Sequence, residues 1–233
     1  MISVVIPALN EARALPATLH SLASQTAPFE VIVVDGGSTD GTVLVAKRCV
    51  EDHKCADRRV IAAPRGRATQ MNAGASVATG EWLLFLHADT LLPAGALDAI
   101  TALDRTVEFG GFHHSFDRND WRLRFVSALH NFRCTRTGVF YGDQAMFVRR
   151  ATFLRLGGFP AVRYLEDVML SEQLLRRAQS SFLQLSVVTD ARKFVSAGIW
   201  RSLIRCLVIV AAYRWGRRDA HLKPARRFFE DVR

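Results

Sequence analysis

No stretch of this chain is apolar for long enough to cross a bilayer. A spanning helix needs about 20 predominantly apolar residues, and the longest run, "CLVIVAAY" at 206–213, has eight. Cysteine is scarce and unpatterned. The four present, Cys49, Cys55, Cys134 and Cys206, form no C-x-x-C pair. That argues against a structural zinc site and suits a reducing compartment. The opening "MISVVIPALNEARALP" has neither a basic leader nor a small-residue cleavage site, so no secretory signal is expected. The expected location is cytoplasmic.

Glycine is missing where a dinucleotide-binding fold needs it. That fold places G-x-G-x-x-G between the first strand and the first helix. Here the first apolar run is followed by "PALNEA". The glycines of "DGGSTDGT" follow the second run and miss the spacing. A nucleotidyltransferase also loses ground, because no glycine-rich start with an activating lysine follows the first strand.

Acidic residues are the minority. There are 22 Asp and Glu against 31 Lys and Arg, a net charge of +9. Residues 201–233 hold nine basic and three acidic residues, so +6 of that excess lies in the tail. A nucleic-acid partner would want basic and aromatic residues interleaved on a sheet, or a recognised binding motif. Neither is present, and no nucleic acid is expected. The charge points to an anionic ligand or an anionic membrane surface.

What is present is a regular alternation. With 49% hydrophobic residues in 233, the chain has ample material for one large domain or a domain with an appendage. "ISVVIPA", "FEVIVVD", "RRVIAAP" and "EWLLFLHAD" read as strands. Between them lie helical segments: "EARALPATLHSLASQ", with Asn10 as its expected N-cap, "GGSTDGTVLVAKRC", and "RATQMNAGASVATG". Four such alternations predict a parallel, doubly wound α/β sheet. Ligands of such sheets sit beyond the carboxyl ends of the strands. Asn10, Glu11, Asp35, Arg65, His87 and Asp89 then point to one cleft. After Pro93 the pattern becomes mixed. "EFGGFHHSF", "TGVFYGDQAMFVRR" and "SFLQLSVVTD" read as strands, with helices between.

Seven segments in order, "VVIPALNE", "VIVVDGGSTDGT", "PRGRATQMNAG", "LLFLHADT", "YGDQAMFVRR", "GGF" and "LEDVMLSEQL", resemble family 2 glycosyltransferases of the GT-A fold. The likeness is greatest to a small bacterial branch with R-G-R-A-x-Q-M-N and H-A-D motifs, and it covers roughly residues 2 to 190. It implies a GT-A-like, mostly parallel sheet with a mixed acceptor-side half and C-terminal helices. The expected organisation is a catalytic domain at 1–195 and a basic helical appendage at 196–233.

The resemblance also implies an activity. A sugar would pass from a nucleoside-diphosphate sugar, most often a UDP-sugar, to an acceptor hydroxyl with inversion. Asp167 would be the general base, with Glu166 orienting the acceptor or the base. Pro7, Ala8, Asn10 and Glu11 would line the base and ribose, and Asp35 would accept from a base N–H. Arg65, Arg67 and Asn72 would face the donor, where helix N-termini and guanidinium groups favour anions. His87-Ala88-Asp89 occupies the place of the family's D-x-D motif. Asp89, with His87 in place of the first carboxylate, would hold Mg²⁺ or Mn²⁺ on the diphosphate. Tyr141, Gly142, Asp143 and Gln144 would contact the acceptor or the donor sugar. His113, His114 and His130 receive no role, since adjacent histidines on a strand point to opposite faces. Two rivals stay open: a catalytically silent nucleotide-sugar-binding protein, motivated by His87, and a sugar nucleotidyltransferase.

The tail reads as one helix over 196–218. Trp200, Leu203, Ile204, Leu207, Val208, Ala211 and Trp215 make an apolar stripe. One account packs this helix between the catalytic domain and a homodimer partner. The other lays it on an anionic membrane, with Arg214, Arg217, Arg218, Arg226 and Arg227 on lipid phosphates. A lipid-linked acceptor would make that peripheral location, on the inner face of the cell membrane, useful.

Overall fold

The structure is a computed structural model that describes residues 1–51, 58–162 and 164–218. It divides into two compact units, Met1–Asp190 and Ala191–Arg233.

The strands of the first unit are β1 (Ile2–Ala8), β2 (Phe29–Asp35), β3 (Arg58–Ala62), β4 (Trp82–Phe85), β5 (Thr90–Leu91), β6 (Val107–Phe116), β7 (Phe147–Arg149) and β8 (Gln179–Thr189). Its helices are α1 (Leu15–Ser21), α2 (Thr42–Glu51), α3 (Arg67–Val77), α4 (Ala96–Thr101), α5 (Trp121–Thr137), α6 (Arg150–Arg155) and α7 (Glu166–Leu175). The eight strands form one sheet in the order β3-β2-β1-β4-β7-β6-β8-β5. The four expected parallel strands pair as β3-β2-β1-β4. β7 then runs antiparallel to both β4 and β6, and β8 runs parallel to β6. The mixed half begins there.

Alternation along the strands builds two cores. Val4, Ile6, Val31, Val33 and Leu84 face one side, with Leu15 and Leu19 of α1 and Leu97 and Ile100 of α4. Val5, Ile32, Val34, Leu83 and Phe85 face the other, with Met71 and Ala75 of α3 and Leu170 and Leu174 of α7. The period of two in a β-strand requires this division. Gly74 lets α3 lie close to the sheet, since a Cβ there would come within 2.4 Å of Val5 Cγ1. α3 begins at Arg67, shortly after the carboxyl end of β3 at Ala62.

Two expectations change, the start of α1 and the segment before β7. α1 starts at Leu15 with Ala14 as its N-cap, not Asn10. Pro16 explains this, because proline belongs in the first turn of a helix, where its missing N–H is not needed. Pro7 and Ala8 are the last residues of β1, as the strand reading of "ISVVIPA" has them. Pro7 is tolerated there because β1 and β4 are paired only as far as Val5. "TGVFYGDQAMFVRR" is mostly not a strand. It contains a short 3₁₀ turn at Gly142–Gln144, and only Phe147–Arg149 pairs, as β7.

The second unit contains α8 (Arg192–Ser196) and α9 (Ile199–Arg218). Trp200, Ile204, Leu207, Val208 and Trp215 of the expected apolar stripe are exposed, while Ile199 and Ile209 are buried. No helix among the described residues is long and apolar enough to cross a membrane. Arg226 and Arg227 lie outside the described residues.

Candidate active site

Ala8, Asp35 and Ala62 end β1, β2 and β3 in register. The loops leaving those ends bind one another. Asn10 takes a left-handed backbone, φ 55°, which Asn tolerates better than most residues. Its N–H donates to Ser38 Oγ, and its Oδ1 accepts from the Thr39 amide at 2.8 Å. The Glu11 amide donates to Thr42 Oγ1, and the Ala12 amide to Asp40. The carboxylate of Asp35 accepts from the amides of Gly37 and Ser38. This is a turn built by Asp at the strand end. The Ala8 carbonyl accepts from Gly36 N–H and from the side chain of Gln70.

Arg65 and Arg67 are exposed at the start of α3. Arg67 Nη1 lies 3.7 Å from Glu166 Oε1, joining the first turn of α3 to that of α7. Asn72 departs from expectation. Its amide donates to the Phe159 carbonyl and accepts from the Phe159 N–H, at 2.8 and 2.9 Å. It braces the "GGF" loop.

Glu166 and Asp167 open α7, and both are buried. Oδ2 of Asp167 accepts from the Gly142 amide at 2.6 Å, and Oδ1 accepts from the Val168 amide. Burial raises both carboxyls. Glu166 rises to about 7, with the neighbouring Asp167 charge adding to the effect and Arg67 opposing it. Asp167 also rises, against the Gly142 hydrogen bond and Arg67. A pair in this condition takes up a proton near neutrality, where a general base works best.

The H-A-D loop reaches the same place. A Cβ built on Gly142 would lie 2.7 Å from His87 Nε2 and 3.3 Å from Asp167 Oδ2. Only glycine lets these three segments meet. Ala88 is buried, and its carbonyl accepts from Thr18 Oγ1. The Asp89 carbonyl accepts from the Asp190 amide. Thr90 and Leu91 form β5 on β8, which fixes the loop's far side. No group of three or more His, Cys, Asp or Glu side chains that would hold a metal occurs among the described residues.

Gln144 also departs from expectation. It is fully buried, and its amide is committed at both ends. Oε1 accepts from the Tyr141 amide and from Arg133, and Nε2 donates to the Phe112 carbonyl. It shapes the turn instead of facing a ligand. These side-chain bonds replace a strand ladder, which is why the segment is not β.

The non-glycine residues with positive φ among those described are Asn10, Ala145 and Leu165. One follows β1, one follows the Gly142–Gln144 turn, and one precedes Glu166. Strained backbone gathers where a site must hold its shape.

The sequence reading missed a cluster behind this turn. His114 of β6 and His130 of α5 both approach Asp143, while His113 points away and stacks on Phe182. Burial drives His130 down to about 4 and holds His114 below its usual value. Near pH 7 both rings are therefore neutral N–H donors beside an ionised Asp143.

The family described as "Glycosyl transferase family 2" matches residues 3–155. The chain belongs to that family. Among curated relatives, the "PGL/p-HBAD biosynthesis glycosyltransferase" of Mycobacterium tuberculosis is 37% identical over 171 residues, which is 70% of this chain and 62% of that protein. An uncharacterised glycosyltransferase of Haemophilus influenzae is 27% identical over 192 residues, 76% of this chain and 62% of the other. This family 2 chain thus spans about 62% of the length of those relatives. Among solved structures, a mannosyltransferase from Pyrobaculum calidifontis, in complex with GDP-Man and Mn²⁺, superposes with a TM-score of 0.72. It has 26% identity and covers 98% of this chain and 66% of that one. The S. aureus TarS fragment 1–349 gives 0.66 at 21% identity and shows the shared fold. GT-A glycosyltransferases are therefore this family 2 chain's structural neighbours.

Proposed function

We propose that this chain transfers a sugar from a nucleoside-diphosphate sugar to an acceptor hydroxyl in a single inverting displacement, with Asp167 as general base. The observation that carries the reading is the convergence at Gly142. The carboxylate pair opening α7 and the H-A-D loop meet there, beyond the carboxyl ends of the parallel strands. Family membership and the neighbour crystallised with GDP-Man support the donor class.

Asp167 takes the proton of the attacking hydroxyl, and Glu166, held by Arg67, keeps the pair's charge in balance. Asn10, Glu11 and the Asp35 turn line the nucleotide side, and Arg65 and Arg67 supply positive charge toward the diphosphate. Asp143 receives a sugar hydroxyl.

A divalent cation belongs to the reading. One carboxylate, Asp89, and one imidazole, His87, do not cage an ion by themselves. They fit an ion that draws its other oxygens from the diphosphate and water, as Mg²⁺ and Mn²⁺ do. When bound, such an ion neutralises charge building on the departing diphosphate.

The exposed side of α9, carrying Ile204, Leu207, Val208 and Trp215 with Arg201 and Arg214 exposed beside them, fits an anionic membrane surface and so a lipid-linked acceptor.

A thermal-shift screen of UDP, GDP and their sugars, with Mn²⁺ or Mg²⁺, tests the donor class. A ligand at about 100 times its Kd stabilises by roughly 2.7 kcal/mol. No shift with any of them contradicts the proposal. Binding without turnover in the presence of varied acceptors favours a silent binding protein.

A further inference from the structure

The proposed reaction uses Asp143 but leaves over the two histidines that meet it. Asp143 is the middle residue of the Gly142–Gln144 turn, and two elements meet its carboxylate. His130 of α5 brings Nε2 to 3.4 Å from Oδ1, and His114 of β6 brings Nε2 to 4.0 Å from Oδ2. His114 is fixed from behind. His114 Nδ1 lies 3.2 Å from Ser127 Oγ. The His114 backbone is bonded on both its N–H and its carbonyl by the Asn131 amide. Arg133, on the next turn of α5, lies 3.5 Å over the Tyr141 ring and donates to Gln144.

His114 Nε2, His130 Nε2 and Asp143 Oδ1 are buried and lack a hydrogen-bond partner among the described residues. Buried polar atoms are rarely left so, and three converging at one carboxylate call for a reason. About a third of the Asp143 side chain stays exposed (34%). His87 is a close charge neighbour of Asp143, and the next residue back, Gly142, holds Asp167. Asp143 is therefore flanked by the loop expected at the diphosphate and by the expected base. In the proposed reaction the sugar of the donor lies between those two groups.

We propose that His130 and His114 are positioning residues that clamp Asp143 from behind, so that its exposed carboxylate edge receives a hydroxyl of the transferred sugar. This rests on the glycosyltransferase reading above. The 3.4 Å separation is slightly long for a hydrogen bond and closes when the hydroxyl arrives, as site contacts commonly tighten on binding.

The test uses the full chain with His130→Leu, which removes the N–H donor, and His130→Gln, which keeps one. Calorimetry with Mn²⁺ compares UDP with UDP-glucose and GDP with GDP-mannose. Affinity for the bare nucleotides should stay within about twofold in every variant. The extra affinity that the sugar brings should fall roughly tenfold in His130→Leu, the usual worth of a hydrogen bond to a charged group, and largely return in His130→Gln. Unchanged sugar affinity in the Leu variant, a Gln variant no better than Leu, or parallel loss of bare-nucleotide binding would overturn the inference. A second measurement needs no ligand. Asp143→Asn should move the imidazole nitrogen NMR signals of His130 and His114 and leave those of His20 in place. Unmoved His130 and His114 signals overturn the clamp. Failure of the wild type to bind any of the four probes strikes the glycosyltransferase reading instead, and the NMR result still decides the clamp.

Discussion

The amide of Gly142 donates to Oδ2 of Asp167 across 2.6 Å, tying a tight turn to the first residues of α7. The same glycine leaves room for His87. Gly142→Ala puts a methyl group 2.7 Å from His87 Nε2 and 3.3 Å from Asp167 Oδ2. The expected outcome is a stability loss of about 1–3 kcal/mol, typical of overpacking, and a larger fall in transfer, because base and loop are displaced together. Urea denaturation and turnover on the same sample check this. Transfer at the wild-type rate would show that the contact does not matter to the reaction.

Glu166 is pushed up to about 7 by burial and then by Asp167. A carboxyl whose pKa rises on folding stabilises the fold while protonated. That contribution is complete below its ordinary value of 4.5 and fades as pH climbs through about 7. Glu166→Gln cannot ionise. Its Tm should match the wild type near pH 5 and exceed it near pH 8. An equal difference at both pH values would contradict the shift. In the wild type, transfer should rise with pH as the base ionises, at a pH above the ordinary carboxylate range, because burial raises Asp167 too.

Asp89→Ala should abolish any Mn²⁺-dependent tightening of UDP or GDP binding, leaving the metal-free affinity in place. Calorimetry with and without a chelator reads this directly. A wild type indifferent to the chelator removes the ion from the account.

The parallel half of the fold was legible because its signals are local. Val4, Val5, Ile6 and Val31 to Val34 are apolar runs bounded by polar turns, and nothing distant competes with them. The placing of Asp35 at a strand end and of His87 just past one followed from one topological rule. The Gly142–Gln144 turn was not legible. Its shape depends on where the Gln144 and Arg133 side chains find partners, and those partners are on other elements. Asn72 has the residue type of a ligand contact, yet its amide goes to Phe159, 87 residues away. His114 and His130 come together only because α5 folds back along β6. On α9 the periodicity found an apolar stripe but not which side faces outward, and the stripe is the exposed side.

That exposure can be tested on the full chain. The wild type should co-sediment with vesicles containing anionic lipid at low salt and dissociate as salt rises, since each basic residue contributes only about 1 kcal/mol within a Debye length. Ile204→Glu combined with Leu207→Glu should abolish sedimentation. Protein that stays in the supernatant at low salt contradicts the membrane reading. A dimer in the wild type that is lost in the double variant would assign the stripe to a second copy.

Asp167→Asn tests the central claim most directly, with donor binding and sugar transfer measured on the same preparation. The substitution keeps size and removes the base, although the amide can accept from only one of the Gly142 and Val168 N–H groups that the carboxylate serves. Nucleotide-sugar affinity should remain within a few-fold of wild type while transfer falls by roughly 10²–10⁴-fold, the usual contribution of a general base. Near-normal transfer in the variant would contradict the account.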